Sequence, residues 1–120
     1  MPPPSRLRRG DVVLVPFPFA DLTAQKVRPA VIVSADPQAG DVIAAFIISV
    51  ITNRSPRGAE VQLFQTDPEF GASGLRVDSL VRLDKLVTLS DRVVARRLGV
   101  TGPVTRRQTD LQLRRALDLP

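Results

Sequence analysis

The sequence contains no cysteine and no histidine. Without cysteine, the chain has no disulfide bond, no thiolate nucleophile and no zinc site built on thiolates. Without histidine, it has no imidazole for acid–base catalysis and no Ser-His-Asp triad. Any chemistry that this protein performs must therefore rest on guanidinium, ammonium, carboxylate or hydroxyl groups.

Long apolar runs are absent as well. The longest run, VIAAFIISVI from Val42 to Ile51, is interrupted by Ser49 and is about half of the roughly 20 residues that a membrane-spanning helix needs. The N-terminus, MPPPSRLRRG, has no apolar core of the kind that a signal peptide carries. We therefore expect a cytoplasmic protein without membrane contact.

The composition is that of one basic globular domain. The chain has 120 residues, of which 43% are hydrophobic and 24% charged, enough for one core and too apolar for global disorder. We expect a single domain over residues 1–120, with 1–9 as a flexible N-terminal segment. The net charge of +5 favours a polyanionic partner such as a nucleic acid.

Most of the chain has the pattern of short strands. Runs of β-branched and apolar residues between proline- and glycine-rich segments indicate strands. The predicted strands cover residues 11–17, 30–34, 42–53, 59–64 and 96–100, together with two short strands within 78–90 that are separated at Asp84 and Lys85. Residues 65–74 are predicted to form a loop.

One helix is predicted at the C-terminal end. Gly102 and Pro103 open the segment 101–117, as is typical of a helix start. We expect Val104, Leu111, Ala116 and Leu117 to supply its apolar positions. Short strands followed by one terminal helix favour a mainly β protein with some α structure, in which a small barrel or strongly bent sheet carries the helix.

Carboxylates are scattered along the chain. The two glutamates, Glu60 and Glu69, are isolated, and the aspartates form no cluster with the spacing of a two-metal site. We therefore expect no metal and no other cofactor. Aromatic residues are limited to five Phe, so stacking on nucleic-acid bases would depend on Phe17, Phe19 or Phe70.

Three stretches together resemble the MazF/PemK family of toxins. RGDVVLVPFPFADLTAQKVRPAVIVSAD is similar to the opening of the family, in which a Gly-Asp strand start and a polar loop lead to Arg-Pro before an apolar strand. SVITN resembles the next landmark, a strand that ends in threonine. GLRVDSLVRLDKLVTLS is similar to the later segment that contains Asp-Ser. The resemblance extends from Arg9 to Leu119.

The resemblance implies a fold, an activity and partners. The fold would be the SH3-like small barrel of CcdB/PemK-like proteins, with a C-terminal helix. The activity would be metal-independent, sequence-specific cleavage of single-stranded RNA, in which the 2′-hydroxyl attacks the neighbouring phosphate. As the toxin of a type II toxin–antitoxin pair, the protein would inhibit growth, form a homodimer and bind a cognate antitoxin protein.

Arg28 is the first candidate catalytic residue. Its planar guanidinium can donate two hydrogen bonds to phosphate oxygens, and Pro29 restricts it to an extended conformation. Thr52 is the second, because its hydroxyl could bind a phosphate oxygen or orient the 2′-hydroxyl. Without the resemblance, Arg28 could be a surface residue paired with Asp21 or Asp36, and Thr52 an ordinary strand residue.

A general base is less well defined. Arginine has a pKa above about 12 and is a poor base at neutral pH. Related toxins often carry an acidic residue shortly before the matching arginine, where this sequence has Thr23-Ala24-Gln25-Lys26. Asp21 is the nearest carboxylate and is therefore the candidate acid or base.

Further residues are candidates for RNA binding. If the strands that precede them are neighbours, these residues form a polar and basic rim around Arg28 and Thr52. They are Gln25, Lys26, Asn53, Arg54 and Arg57. Asp78 and Ser79 match the family's Asp-Ser pair, and Ser79 could either contact RNA or hold the site by a turn hydrogen bond.

Two other functions remain open. One is a nucleic-acid-binding SH3-like module that does not cut. The other is a toxin that poisons DNA gyrase, as the fold-related CcdB toxins do. A gyrase poison would depend on its C-terminal helix, which here is rich in arginine and has little apolar surface at its very end. That composition disfavours the gyrase-poison hypothesis.

Overall fold

The computed structural model describes residues 7–16, 26–34, 40–50 and 58–120. These residues form six strands, two α-helices and a 3₁₀ turn. In chain order they are β1 (Asp11–Pro16), β2 (Val27–Ile32), β3 (Asp41–Ser49), β4 (Glu60–Leu63), α1 (Phe70–Ser73), β5 (Ser79–Ser90), the 3₁₀ turn (Asp91–Val93), β6 (Arg96–Val100) and α2 (Pro103–Ala116).

The six strands form one antiparallel sheet. Their order is β4-β5-β3-β2-β1-β6, and every neighbouring pair is antiparallel. The sheet curls into a half-barrel, and the chain is mainly β with a C-terminal helix, as expected from the sequence. β4 and β6 lie at the two edges of the described sheet.

Strand pairing moves the start of β2 relative to the sequence prediction. β2 begins at Val27, before the apolar run that starts at Ala30. The reason is that Val27, Arg28 and Pro29 pair with the last three residues of β1. The ladder with β3 starts only at Ala30, so Pro29 occupies a position with a partner strand on one side, where a missing N–H donor is tolerated.

β5 corrects the prediction of two short strands. It runs unbroken for 12 residues. Its pairing with β3 nevertheless shifts across 82–85, because Leu86 pairs with Ala45 whereas Val81 pairs with Ile47. At this shift the strand bends, and its first half also pairs with β4. Asp84 and Lys85 therefore mark a change of register and not a break.

Both faces of the sheet carry apolar clusters. One cluster includes Val13, Val15, Ile32 and Phe46. The other includes alternate strand residues such as Val12, Val31 and Ile47, and Leu113 of α2 packs against it. Alternation along each strand sends successive side chains to opposite faces, so the continuous apolar runs in the sequence reflect burial on both sides.

α1 lies within the segment that was predicted to be a loop. It is a single turn and packs closely on β6. A Cβ atom on Gly99 would collide with the backbone of Ala72 and Ser73, and one on Gly74 would collide with the backbone of Leu98. Gly74 also has a φ of 76°, which glycine adopts without strain. These contacts fix the position of residues 74–77.

α2 forms where the sequence predicts it, but it turns a different face to the sheet. Its buried residues are Thr105 and Thr109, and Leu113 is half-buried against the sheet. Val104, Leu111 and Leu117 are exposed, and Ala116 is exposed as well, so the apolar positions named from the sequence do not face the sheet. The helix packs on β4 and β5, and the Thr105 hydroxyl donates to Glu69 while that of Thr109 donates to the carbonyl oxygen of Thr105.

The end of α2 also differs from the sequence description. Leu117 and Leu119 are each more than half exposed, so the C-terminal end does present apolar surface. The end of α2 therefore offers the apolar surface that a gyrase poison would need. Within the described ranges, no helix has the length and apolar character needed to cross a membrane.

Residues 7–9 contact the rest of the fold. Leu7 is only 3% exposed and belongs to the same cluster as Val13 and Phe46. The backbone N–H of Arg8 donates to Asp11 at 2.8 Å, and Arg9 forms an ion pair with Asp110 of α2. An apolar side chain and two polar contacts thus anchor this stretch, while 1–6 lie outside the described residues.

Candidate functional site

A cleft of about 710 Å³ opens at one end of the sheet. The last residues of β1 and β3 and the first residues of β2, β5 and β6 border it. The antiparallel order brings these strand ends together. The segments 17–25 and 51–57 follow β1 and β3 in the chain, so the residues predicted to form the site are connected to this end of the sheet.

Arg28 lines the cleft. It is the second residue of β2 and pairs with Val15 of β1, and its side chain is exposed. The following proline restricts it to extended backbone, which the pairing with β1 then holds in place. The two carboxylates considered as its ion-pair partners, Asp21 and Asp36, lie outside the described residues.

The strand order meets the condition for Arg28 and Thr52 to share a site. β2 and β3 are neighbours, and Ala30 pairs with Phe46, so the start of β2 lies beside the end of β3. Thr52 follows that end by three residues and lies outside the described residues. Lys26 is described and is exposed immediately before β2. Also outside the described residues are Asp21, Gln25, Asn53, Arg54 and Arg57.

Four further basic residues line the cleft, and the sequence analysis did not identify them as site residues. They are Arg76, Lys85, Arg96 and Arg97. They come from three separate segments, and only the sheet order and the packing of α1 bring them beside Arg28. The adjacent pair Arg96-Arg97 is the one signal that the sequence offered, since basic residues are often found at anion sites.

Arg96 and Arg97 have different surroundings. Arg97 donates from Nε to Asp11 at 3.1 Å and forms an ion pair with it through Nη2 at 3.0 Å. The Asp11 side chain is 9% exposed and that of Arg97 38%. Arg96 is the preceding residue of the same strand, so its side chain leaves on the opposite face. Arg97 therefore has a structural role, because it binds the nearly buried Asp11.

Part of the cleft lining is apolar. Leu14 pairs with Pro29 across β1 and β2, and both residues line the cleft together with Ile47 of β3. Leu75 and Leu98 complete the apolar lining. A lining that combines apolar and cationic residues suits a ligand with flat or apolar groups between phosphates.

Ser79 and Asp78 have structural contacts next to the cleft. The Ser79 hydroxyl, which is almost completely buried, donates to the carbonyl oxygen of Val77 at 2.7 Å. Asp78 accepts from the backbone N–H of Gln65 at 2.7 Å. These contacts favour the turn-holding alternative for the pair. Ser79 still lines the cleft, and its hydroxyl oxygen can accept a further hydrogen bond.

No carboxylate among the described residues borders the cleft. Asp84 lies beside Lys85, but it accepts two hydrogen bonds from Arg82, at 3.1 and 2.7 Å. That hydrogen bonding is the main cause that lowers the pKa of Asp84, and the charges of Arg82 and Lys85 add to it. In the described ranges no three metal-ligating side chains cluster. The electrostatics of the cleft are thus cationic.

Aromatic side chains contribute little to the described part of the cleft. Phe46 lines it but is 3% exposed and belongs to the core. Phe70 lies in α1 and does not line the cleft, so it is not placed for stacking. Phe17 and Phe19 lie outside the described residues.

Comparison with known protein families identifies the chain. A family model described as PemK-like, MazF-like toxin of type II toxin–antitoxin systems matches residues 8–117. The chain belongs to this family. The sequence resemblance, which had been placed from Arg9 to Leu119, is confirmed over nearly the same range. No protein with curated annotation matches the sequence.

Solved structures of MazF-type toxins share the fold. An endoribonuclease from a mycobacterial species, in complex with its cognate antitoxin, is 23% identical with a TM-score of 0.72 over 96% of this chain and 98% of that one. A mycobacterial endoribonuclease is 25% identical with a TM-score of 0.69, covering 95% and 93%. MazF from Deinococcus radiodurans is 20% identical with a TM-score of 0.68, covering 94% and 97%.

Proposed function

We propose that this PemK/MazF-family toxin is a sequence-specific, metal-independent endoribonuclease that cuts single-stranded RNA. The observation that carries the proposal is the cationic cleft, which Arg28 and four other basic residues line together with apolar residues. The described lining contains no carboxylate that would repel a phosphate. Family membership and the mycobacterial endoribonucleases of the same fold support the assignment.

The reaction needs no nucleophile from the protein. The 2′-oxygen of the RNA attacks the adjacent phosphorus, and the bond from phosphorus to the 5′-oxygen breaks. The 2′-hydroxyl loses a proton and the leaving 5′-oxygen gains one, so the products are a 2′,3′-cyclic phosphate and a 5′-hydroxyl. Orientation and preorganised positive charge supply most of the barrier reduction in such a reaction.

Arg28 and Thr52 are the proposed catalytic residues. Arg28 would hold the phosphate oxygens, where charge increases in the transition state. Thr52 would bind a phosphate oxygen or orient the 2′-hydroxyl, and Asp21 would take or return the proton. Proposed RNA contacts around them are made by Gln25, Lys26, Asn53, Arg54, Arg57 and Ser79.

The proposal includes two protein partners. A cognate antitoxin would bind and silence the toxin, a role supported by the mycobacterial structure with its antitoxin and by MazE-MazF of Deinococcus radiodurans. A second copy of the chain would form a homodimer. Edge strands favour such pairing because each presents unpaired backbone groups.

Cleavage of a long single-stranded RNA in excess chelator tests the proposal. We expect fragments that end in 2′,3′-cyclic phosphate and begin with a 5′-hydroxyl, because neither attack nor leaving requires a metal ion in this mechanism. A strict requirement for magnesium would contradict the Arg28–Thr52 mechanism. RNA that is bound but stays intact would favour the non-catalytic binding module.

The gyrase-poison hypothesis is kept as the second candidate because of the exposed Leu117 and Leu119. A supercoiling assay with purified DNA gyrase separates it from the ribonuclease. Inhibition of gyrase by a protein that leaves RNA intact would favour the poison. Cleavage of RNA without any effect on gyrase is the result that we expect.

A further inference from the structure

The outer surface of α2 combines exposed apolar side chains with arginines. The helix buries two threonines and leaves Val104 and Leu111 52% and 54% exposed. A helix that packs on a sheet normally turns its large apolar residues inward. Local choices that conflict with the fold occur mostly at functional positions, so this reversed arrangement requires an explanation.

These side chains form two parallel lines along the helix. Val104 and Leu111 are seven residues apart, which is close to two helical turns, so they share one line. Arg107 and Arg114 have the same spacing and lie along the next line, and Arg115 follows Leu111 by one turn. All five are exposed. We call these five residues the outer face of α2.

The three arginines of the outer face give it a positive charge. Asp110, the one acidic residue within α2, forms an ion pair with Arg9. In the part of the chain that the structure describes, no ion pair is recorded for Arg107, Arg114 or Arg115. The face is therefore complementary to a surface that offers carboxylates around apolar groups.

We propose that the outer face of α2 binds an acidic protein segment that carries apolar side chains at intervals matching Val104 and Leu111. Carboxylates of the segment would pair with the three arginines, and its apolar side chains would cover the valine and the leucine. The inference rests on the proposed antitoxin partnership, with the antitoxin as the partner that would supply this segment.

Other occupants fit the face less well. Single-stranded nucleic acid is held by stacking of its bases on aromatic side chains. The outer face has no aromatic side chain, and its exposed valine and leucine would add little to nucleic-acid binding. A second copy of the same face would bring arginines against arginines. The chain's own first six residues, MPPPSR, contain no carboxylate. An acidic segment uses both the charge and the apolar line.

Peptide binding tests the assignment. The probe is a synthetic peptide as long as α2 (14 residues), with leucines seven residues apart and glutamates three and four residues from each leucine. A second peptide replaces the leucines by serine and keeps the charge, and a single-stranded RNA of similar length is the third probe. Binding is measured by fluorescence anisotropy at physiological salt.

The variants separate the outer face from the rest of the basic surface. Leu111→Ser and Val104→Ser shorten the apolar line, and Arg114→Ser removes one charge. Leu86→Ser and Arg92→Ser remove an exposed leucine and an exposed arginine elsewhere, and Arg96→Ser removes a cation from the cleft. Circular dichroism verifies the fold of each variant, and the two apolar variants provide independent tests of the same line.

We expect the leucine peptide to bind the parent protein and to lose about tenfold in affinity with Leu111→Ser, since about 1.4 kcal/mol corresponds to tenfold. Val104→Ser and Arg114→Ser should weaken it severalfold, whereas Leu86→Ser, Arg92→Ser and Arg96→Ser should not. Equal binding of the serine peptide, dependence on Arg96 alone, or no binding would overturn the proposal. RNA binding that requires Arg114 and Leu111, without peptide binding, would assign the face to nucleic acid instead.

The same variants distinguish this inference from the proposed ribonuclease activity. Leu111→Ser and Arg114→Ser lie outside the cleft and should cut RNA at the parental rate. Full cleavage together with unchanged peptide affinity refutes the docking face alone. Absence of cleavage in the parent, with the expected loss of peptide affinity in the variants, refutes the ribonuclease and leaves the docking face supported.

Discussion

At the residue scale, the basic residues of the cleft differ in role: some stabilise the fold and others can contact a ligand. Arg97 contacts the nearly buried Asp11, whereas Arg96 leaves the strand on the opposite face. Arg28 is positioned by its own strand pairing and by Pro29. The same residue type thus has three different roles within one cleft, and each role has its own experimental signature.

The first prediction concerns Arg28 and Thr52. Arg28→Ala should lower RNA cleavage by about 10²-fold or more, as loss of one preorganised donor does elsewhere. Arg28→Lys should rescue it only in part, because an ammonium lacks the two-pronged geometry of guanidinium. Thr52→Val keeps the shape and deletes the hydroxyl, so turnover should fall while folding stays nearly intact.

Arg28→Ala and Thr52→Val should both still bind RNA at low salt, since the other cations of the cleft remain. Cleavage rates are measured on a defined RNA substrate, and circular dichroism verifies folding. If both variants are folded and cut as fast as the parent, the proposed site is wrong. The binding-module and gyrase-poison hypotheses would then be preferred.

Arg96 and Arg97 form a matched pair for the second prediction. Arg96→Ala should weaken RNA binding and reduce the slope of affinity against salt by about one phosphate contact. Arg97→Ala should lower the free energy of unfolding by about 1 kcal/mol, because the nearly buried Asp11 loses charged donors that are themselves partly screened by solvent.

The two readouts are RNA affinity over a range of salt concentrations and urea unfolding. Arg96→Ala should leave the urea midpoint unchanged, which makes it the stability control for its neighbour. An unchanged urea midpoint for Arg97→Ala would show that the contact with Asp11 contributes nothing measurable to the fold.

At the element scale, Glu69 holds the start of α2. Gly102 at the N-cap offers no side chain, and the Glu69 carboxylate accepts instead from the N–H groups of Val104 and Thr105 at 3.0 and 2.8 Å. It also accepts from the Thr105 hydroxyl at 2.7 Å. A residue distant in sequence thus provides the cap that serine or aspartate usually provides.

Glu69 should make α2 sensitive to acid. Its hydrogen bond from the Thr105 side chain is the largest cause that lowers its pKa, and the N–H groups of Thr105 and Val104 and the charge of Arg106 add to the effect. A carboxyl whose pKa is lower in the folded state stabilises the fold above its ordinary value of about 4.3. That contribution is lost as the pH falls through the lowered value.

The third prediction follows from this sign. Glu69→Ala should cost about 1 kcal/mol at neutral pH, as loss of a helix cap does. The difference from the parent should shrink in acid, where the parent carboxyl is protonated. Urea unfolding at neutral pH and near pH 3 measures this difference in stability. Glu69→Gln retains a hydrogen-bond acceptor without charge, so its stability at neutral pH should lie between those of Glu69→Ala and the parent. A pH-independent difference would rule out the charged cap.

At the scale of the whole molecule, the described sheet has two edges. β4 and β6 are the outermost strands, and edge strands present backbone groups for pairing. We predict a homodimer at micromolar concentration, which sedimentation velocity measures directly. Sedimentation as a monomer over the whole micromolar range would contradict it. Closed two-fold pairing is the commonest assembly for such chains.

Much of this protein was determined by its sequence alone. Apolar and β-branched runs between prolines and glycines predicted the strands, and Gly102-Pro103 predicted the start of the terminal helix, because these preferences act over a few residues. The order of the Gly-Asp, Arg-Pro and Asp-Ser landmarks indicated the family, which is confirmed over residues 8–117. Arg28 could be named because Pro29 and the strand entrance are adjacent to it in sequence.

Only the tertiary structure decided which distant residues meet. Arg76, Lys85 and Arg96 line one cleft because strand order and the close packing of α1 on β6 bring their segments together. The face of α2 that packs inward was also decided by tertiary contacts, since Thr105 donates to Glu69 whereas Val104 and Leu111 stay in solvent. Such contacts join residues that are far apart in sequence, so local sequence patterns do not predict them.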